Sequence, residues 1–426
     1  PPNRPDCLSH RGLARELASY FRMTLRPLSF PLETTPGLSL PVAVEDPAAC
    51  PFYGGRLIEG VKIGESPAWL KTRLEAIGLR PINNVADITN FVLHDVGQPL
   101  HAFDADRLAG GRIVVRRSKA GETLLALDHR RYDLPEGLLI IADAEKPVAL
   151  AGVMGGEETA VADATTRVLL EGAYFKPSEV RKSSQTTRLR SDSSYRFERG
   201  ADPEAARDAA SRAAALILQA AGGRAAKAAE VSAPKPAPGG MLVTTSALNA
   251  ILGARFPDEQ IVEVLKSIAL NFRPQTSGFH FTPPPWRHDL KDANDLAEEV
   301  GRFLGYDNIP YRMAPMSVQA ARLTPVETQS RRARARLAAL GLCEAYNYDL
   351  LAPEALAACL LPDAGQPRVA NPLSEGWAVL RPSLLPGLLK NARHNLSRGA
   401  DAARFFEIGK TYALRGDAKA VDENWR

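Results

Sequence analysis

The chain has 426 residues, with 45% hydrophobic and 24% charged side chains and a formal net charge of +4. That length exceeds one core and gives roughly three domains at about 150 residues each; the composition is that of an ordinary globular protein, and the lack of any run of about 18 apolar residues excludes a helical membrane span. Four cysteines, Cys7, Cys50, Cys343 and Cys359, form no C-x-x-C pair, which excludes a zinc knuckle and a disulfide framework and fits a reducing, cytoplasmic compartment.

In chain order, Pro1-Pro2-Asn3-Arg4 carries neither an apolar signal core nor an initiator Met and reads as the start of a piece cut from a longer chain. Ser66-Pro67 opens a helix that Gly78 ends. Arg112 to Arg117 and Gly137 to Ala142 are strands rich in Ile, Leu and Val. Residues 176–199 hold Lys176, Arg181, Lys182, Arg188, Arg190, Arg196 and Arg199 against Glu179, Asp192 and Glu198, a basic excess equal to that of the whole chain. A phosphate backbone would be attracted there; a solvated face explains the same charges. Asp202-Pro203-Glu204 opens an Ala-rich helix closed by Gly222-Gly223, and the Pro/Gly stretch 233–240 reads as a linker.

The segment 241–315 reads helix, helix, strand, turn, strand, helix. Pro257 to Leu270 is helical by period, and Asn271 to Arg273 and Phe279 to Thr282 flank a turn at Thr276-Ser277-Gly278. That order suits a winged helix, yet its few basic residues (Arg255, Lys266, Arg273) argue against DNA binding. Pro310, Pro315 and Pro325 mark a second boundary, after which Thr324-Pro325-Val326-Glu327 forms a capping box for a helix running to Gly341. Strand-like pieces follow near Glu344 to Leu350 and Arg404 to Ala413. The helix bearing Arg331, Arg332, Arg334 and Arg336 is most simply a solvated face.

Phosphate loops, dinucleotide-binding glycine loops, nucleophile elbows and H-E-x-x-H motifs are absent. Four other patches stand out. Pro81 to Asn90 (PINNVADITN) is dense in small polar side chains, and Gln98 to Asp104 (QPLHAFD) contains His101. Ala151 to Gly156 (AGVMGG) is a turn in which glycine lets backbone N–H groups approach a ligand. Glu171 ends the apolar run Val168-Leu169-Leu170. Each has a plain account as well: a hydrogen-bonded packing histidine, a tight turn, a strand-end surface charge. Asp295, Glu298 and Glu299 fall at i, i+3, i+4, so a helix puts them on one face, as cation ligands or as first-turn acids favoured by the dipole.

Together and in this order these patches resemble the bacterial phenylalanyl-tRNA synthetase β subunit, over nearly the whole chain. The resemblance rests on PNR through CLS at the start, NNV-DITNFV, GQPLHAFD, ALAGVMGG, and Leu189-Arg190 through Ser194-Tyr195-Arg196-Phe197-Glu198-Arg199-Gly200. It implies an α+β multidomain protein: the tail of an N-terminal domain (1–45), a mixed α/β editing domain (46–232), a winged-helix-like domain linked to Mg²⁺ (241–315), and the start of a class II synthetase-like antiparallel sheet domain without catalysis (316–426). The N-terminal tRNA-binding and C-terminal anticodon-binding domains of the family lie outside the sequence.

The resemblance further implies an α₂β₂ assembly in which the α subunit uses ATP and phenylalanine to charge tRNA(Phe), while this subunit hydrolyses tyrosine wrongly esterified to that tRNA. The implied editing residues are Thr89, Asn90, His101, Ala151, Gly152, Gly155 and Glu171, with Glu171 accepting the tyrosine hydroxyl and His101, Thr89 and Asn90 orienting ester, ribose or water. The implied Mg²⁺ ligands are Asp289, Asp295, Glu298 and Glu299. Arg381 and Glu407 either echo class II ATP contacts or, the simpler reading, have a structural and α-subunit-contacting role. Two other readings stay open, a freestanding aminoacyl-tRNA deacylase and a non-catalytic, RNA-binding scaffold; no membrane partner is expected.

Overall fold

The computed structural model describes residues 2–27, 30–234, 239–269, 271–313, 322–416 and 420–426. The chain divides once, into compact units Pro1–Arg312 and Met313–Arg426. The 233–240 stretch therefore joins segments within one unit; its residues 235–238, with Leu270 and Pro315, lie outside the described residues. No described helix is long and apolar enough to cross a membrane.

The first unit opens with α1 (His10–Tyr20) and then β1 (Val42–Val44), β2 (Phe52–Glu59), α2 (Ala68–Ala76), α3 (Asn84–Val96), β3 (Leu100–Asp104) and β4 (Ile113–Arg117). It continues with β5 (Thr123–Leu125), β6 (Arg131–Asp133), β7 (Leu139–Ala142), β8 (Pro147–Leu150), β9 (Met154–Gly155) and β10 (Arg167–Tyr174). Then come α4 (Pro177–Thr187), α5 (Asp192–Phe197), α6 (Ala205–Ala221), β11 (Arg224–Ala225) and β12 (Ala229–Ser232). The expected helix at Ser66-Pro67, both strands and the Ala-rich helix all form. α3 was not legible: Asn83 caps it by accepting from the N–H groups of Val85 and Ala86, and Gly97, at φ +87, ends it.

Two sheets form the core. One runs β11-β2-β10-β3, with β12 following β11 along the same edge of β2; the other runs β1-β4-β7-β8-β9. Side chains alternate across β10. Val168 and Leu170 face α2, α3 and α6, where they pack with Ile88, Val92, Ala213 and Ile217. Leu169 and Ala173 face the second sheet, where they pack with Tyr53, Phe103, Ile141 and Leu150. Three layers result, helices on sheet on sheet.

The unit closes with β13 (Met241–Val243), α7 (Thr245–Leu252), α8 (Asp258–Ile268), β14 (Asn271–Gln275), β15 (Gly278–Thr282) and α9 (Ala293–Leu304). β13 adds a third strand, in the order β13-β15-β14, to the two read from the sequence. Leu248, Ile261, Leu265, Phe281, Leu296 and Val300 form this core. Buried guanidinium groups tie α9 to the start of the chain. Arg287 donates to both oxygens of Asp289 (2.9 and 2.7 Å) and to Glu299 (3.0 Å). Arg302 pairs with Glu299 (2.7 Å) and with Glu16 on α1, and Arg4 pairs with Asp6 (2.9 Å) and Glu16 (2.5 Å). Arg4, Arg287 and Glu299 are all buried, so each charge depends on its partners.

The second unit contains α10 (Pro325–Ala339), β16 (Cys343–Glu344), β17 (Leu350–Leu351), α11 (Pro353–Ala358), β18 (Val379–Leu380), α12 (Leu385–Leu396), β19 (Phe405–Phe406), β20 (Lys410–Leu414) and β21 (Val421–Trp425). The Thr324/Glu327 capping box forms as expected. The expected single antiparallel sheet does not. Among the described residues there are three two-stranded ladders, and β16–β19 is parallel. Glu344 to Leu350 pairs only at its ends, and Tyr346 and Tyr348 stand exposed between them. Prolines at 367, 372 and 382 lie in the irregular stretches beside the short ladders and bring no N–H to pairing, while those at 353 and 386 start helices. Arg381 and Glu407 form a buried ion pair at 2.5 Å, and Asn347 donates to Glu407 at 2.7 Å; their visible role is to hold this unit together.

Replacing Arg287 with Ala strips Asp289 of its cation and Glu299 of one of three, Arg302 and the more distant Arg4 remaining. The expected loss is about 3 kcal/mol, since an uncompensated buried charge remains. A urea midpoint that moves no more than an ordinary surface substitution would, within about 0.5 kcal/mol, would show that the network is dispensable.

Candidate functional site

β10 lies between β2 and β3, antiparallel to both. Its register sets Glu171 opposite Gly55 on β2 and opposite His101 on β3. Directly opposed residues share a face, with Cβ atoms about 5 Å apart. Glu171 and His101 therefore meet on the face that looks toward the second sheet, although 171 reads from sequence as a strand end. On the β2 side of Glu171, Gly55 contributes no side chain. Tyr53, two residues earlier on β2, reaches across the gap and donates its hydroxyl proton to Glu171 Oε2 at 2.8 Å. Glu171 is 6% exposed and Tyr53 0%.

The second sheet closes over this pair. At Gly155 a Cβ would sit 2.3 Å from His101 Cε1, so only glycine lets β9 lie on the imidazole. At Gly152 φ is +70, and a Cβ would crowd Val180 at 2.9 Å and Phe175 at 3.0 Å. Ser191 donates its hydroxyl proton to Val153 O at 2.6 Å and caps α5, which fixes α5 against the same turn. A cavity of about 50 Å³ remains, lined by His101, Gly152, Gly155, Glu171, Ser193 and Phe197 among others.

The cavity holds two unused hydrogen-bonding groups. His101 Nε2 is buried with no partner, and among the described residues only Glu171 Oε2 of that carboxyl is bonded. Burial drives both groups toward neutrality. It raises Glu171 to about 7, against the Tyr53 hydrogen bond that favours the charged form, and it lowers His101 to about 4. From about pH 4 to 7 neither side chain carries a full charge, which is the low-energy state for groups buried this deeply.

Of the seven residues implied for editing, the structure brings four to the cavity: His101, Gly152, Gly155 and Glu171. Thr89 and Asn90 do not line it. They lie on α3, which covers the opposite face of the sheet, and Thr89 Oγ1 donates to Ala86 O within its own helix at 2.7 Å. Ala151 is buried in the apolar core beside the glycine turn and does not line it either. Sequence reasoning missed Tyr53, Ser193 and Phe197. Nothing in PFYGG announces that its tyrosine reaches a carboxylate 118 positions away; only the register does.

The four carboxylates assigned to Mg²⁺ do not fit a shared cation as the structure holds them. Both oxygens of Asp289 are taken by Arg287. Glu299 is buried between Arg287 and Arg302, while Glu298 beside it is exposed, so the expected single acidic face is not formed. Asp295 accepts the N–H groups of Lys291 and Asp292 as part of the α9 capping box. Among the described residues no three His, Cys, Asp or Glu side chains are grouped to hold a metal ion.

The basic segment 176–199 splits in two. Arg196 is buried and donates to Asp192 and to Leu8 O, Arg199 pairs with Glu198, and Arg181 bonds Glu198 O. Lys176, Lys182, Arg188 and Arg190 are exposed, and none has a carboxylate within ion-pair distance among the described residues. The last two flank Leu189, on the loop leading into α5 and the cavity wall.

The titration of Glu171 has a measurable sign. Its folded value, about 7, lies above the ordinary 4.5, so its contribution to stability is full below 4.5 and is lost as pH rises through 7. Glu171→Gln keeps an acceptor for Tyr53 and removes that loss. Between pH 5 and pH 8 the variant is expected to lose up to about 3 kcal/mol less stability than the parent chain, the equivalent of the raised value. Parallel stability–pH curves from denaturant titration would refute it.

Residues 49–222 match the B3/4 domain, residues 241–306 the tRNA synthetase B5 domain, and residues 309–426 the phenylalanyl-tRNA synthetase beta chain CLM domain. The phenylalanine–tRNA ligase beta subunit of Salinibacter ruber is 42% identical over 424 residues, covering 96% of this chain and 51% of that protein. That of Geobacillus kaustophilus is 39% identical over 429 residues, covering 100% of this chain and 53% of its own. The chain thus spans about half the length of the curated relatives it matches. A crystal structure of an N-terminal fragment of the Pyrococcus horikoshii phenylalanyl-tRNA synthetase beta subunit aligns at 15% identity over 72% of this chain and 85% of that one, with a TM-score of 0.37, too low to bear on the fold. Three successive domain matches and relatives near 40% identity along the whole sequence place this chain in the phenylalanyl-tRNA synthetase β-chain family.

Proposed function

We propose that the chain acts as part of a phenylalanine–tRNA ligase β subunit in the cytoplasm, working in an α₂β₂ assembly whose α subunit uses ATP to charge tRNA(Phe), and that its first unit hydrolyses tyrosine misattached to that tRNA. The observation carrying the editing reading is the convergence of Glu171 and His101, each with an unused polar atom, in the wall of one cavity. A pocket built for phenylalanine rejects an added hydroxyl by only about a hundredfold, whereas a site that hydrogen-bonds the hydroxyl discriminates far more strongly. Glu171 Oε1 would accept the phenolic proton.

The chemistry asked of the protein is modest because an aminoacyl ester is already activated. Water adds to the ester carbonyl, the bond to the ribose oxygen breaks, and the products are free tyrosine and tRNA. A neutral imidazole whose Nε2 has no protein partner suits orienting that water or the ribose hydroxyl by hydrogen bonding, and positioning supplies most of the rate. Thr89 and Asn90 have no such part in this geometry. The exposed Lys182, Arg188 and Arg190 are suited to the phosphate backbone of the acceptor arm.

Deacylation of tyrosine-charged and phenylalanine-charged tRNA(Phe) tests the reading. The parent chain is expected to hydrolyse the tyrosyl ester preferentially. Glu171→Ala should abolish the preference and His101→Ala should slow the reaction about a hundredfold, the scale of one positioned proton-transfer group. Unaltered rates in both variants would remove the assignment and leave a scaffold.

Replacing Lys182, Arg188 and Arg190 together with Gln should weaken binding of charged tRNA and flatten its dependence on log salt by about one unit per phosphate contact removed. An unchanged salt slope would assign these side chains to solvent.

A further inference from the structure

A carboxylate can accept hydrogen bonds at both oxygens, and in the cavity wall only one oxygen of Glu171 is committed. Oε2 accepts from Tyr53 at 2.8 Å, and Oε1 has no partner among the described residues. Tyr53 is fully buried in the strand beside Glu171, and no other described side chain bonds that carboxyl. Its hydroxyl is a phenol, the group by which tyrosine differs from phenylalanine. The protein thus holds one phenol permanently on its discriminating carboxylate, with the second acceptor oxygen left over.

We propose that Tyr53 is a specificity-determining positioning residue, whose hydroxyl anchors Glu171 through Oε2 and so keeps Oε1 toward the cavity as acceptor for an incoming phenol. This rests on the editing reading above. Without the anchor, the carboxyl could rotate and satisfy itself away from the cavity. The anchor also favours the charged carboxylate, the stronger acceptor, while burial opposes it. The other titratable groups facing Glu171 are Cys50, just before β2, whose thiol is pushed up by burial and by Glu171, and His101 on β3. The cavity residues from β7, β8, β9 and α5 (Ile141, Ala149, Leu150, Met154, Gly155, Ser193, Phe197) carry no such group.

The test is equilibrium binding of tyrosinamide and of phenylalaninamide, which lack the scissile ester, to the full-length natural chain between about pH 5.5 and 8.5. The ratio of the two affinities cancels titration of the ligands' amino groups. In the parent chain the ratio should rise in favour of tyrosinamide with a midpoint near 7, the value at which Glu171 loses its proton. Tyr53→Phe should lower the ratio and move the midpoint up by about half a unit or more, about threefold at neutral pH. Site-specific 3-fluorotyrosine at 53, nearly the same size and a stronger donor, should move it down, and it decides the matter if the Phe variant does not fold. A ratio near one at every pH in the parent chain would overturn the editing reading itself. A titrating preference in the parent chain whose midpoint stays fixed in the Tyr53 variants, with both ligands weakened equally, would overturn the role of Tyr53 alone.

Discussion

The site depends on the strand register that holds β10 between β2 and β3. With a side-chain period of two, a slip of one residue would carry Glu171 to the helix-covered face and bring Leu170 to the cavity. The register is held by apolar content on both faces, Leu169 and Ala173 toward the second sheet, Val168 and Leu170 toward the helices. A strand buried on both sides cannot slip without exchanging two well-packed sets of side chains. That constraint lets a carboxyl be kept in an interface from which charge is otherwise excluded.

Its electrostatic consequence is a nearly neutral cavity. Burial raises the carboxyl and lowers the imidazole, so both ordinary ionisations are suppressed in the mildly acidic range. Such a cavity offers hydrogen bonding in place of attraction by charge. Unpaired charge lies outside the cavity lining, on the exposed Lys182, Arg188 and Arg190, none of which has an ion-pair partner among the described residues.

The arginine network at α9 shows the opposite solution. There several charges are buried together, and each is neutralised by a partner of opposite sign. Two of the acidic side chains that look like a cation site in one dimension, Asp289 and Glu299, have cations supplied by the chain itself, from Arg287 and Arg302. Helical spacing placed Asp295, Glu298 and Glu299 near one another. It did not reveal that Glu299 faces inward while Glu298 faces solvent.

Local signals were enough for much of the fold. Proline-led starts and glycine ends fixed α2 and α6, the capping box fixed α10, and apolar runs fixed β4 and β7, because these depend on residues close in sequence. The motifs of the first unit also carried the family, and His101, Glu171 and the glycine turn came with it. Tertiary structure alone decided the rest. It sent Thr89 and Asn90 to the far side of a sheet, brought Tyr53 onto Glu171, and broke the expected sheet of the second unit into short ladders. The physical reason is common to all three: which face a side chain occupies, and which distant partner satisfies it, is set by strand pairing and layer stacking between segments that share no local signal.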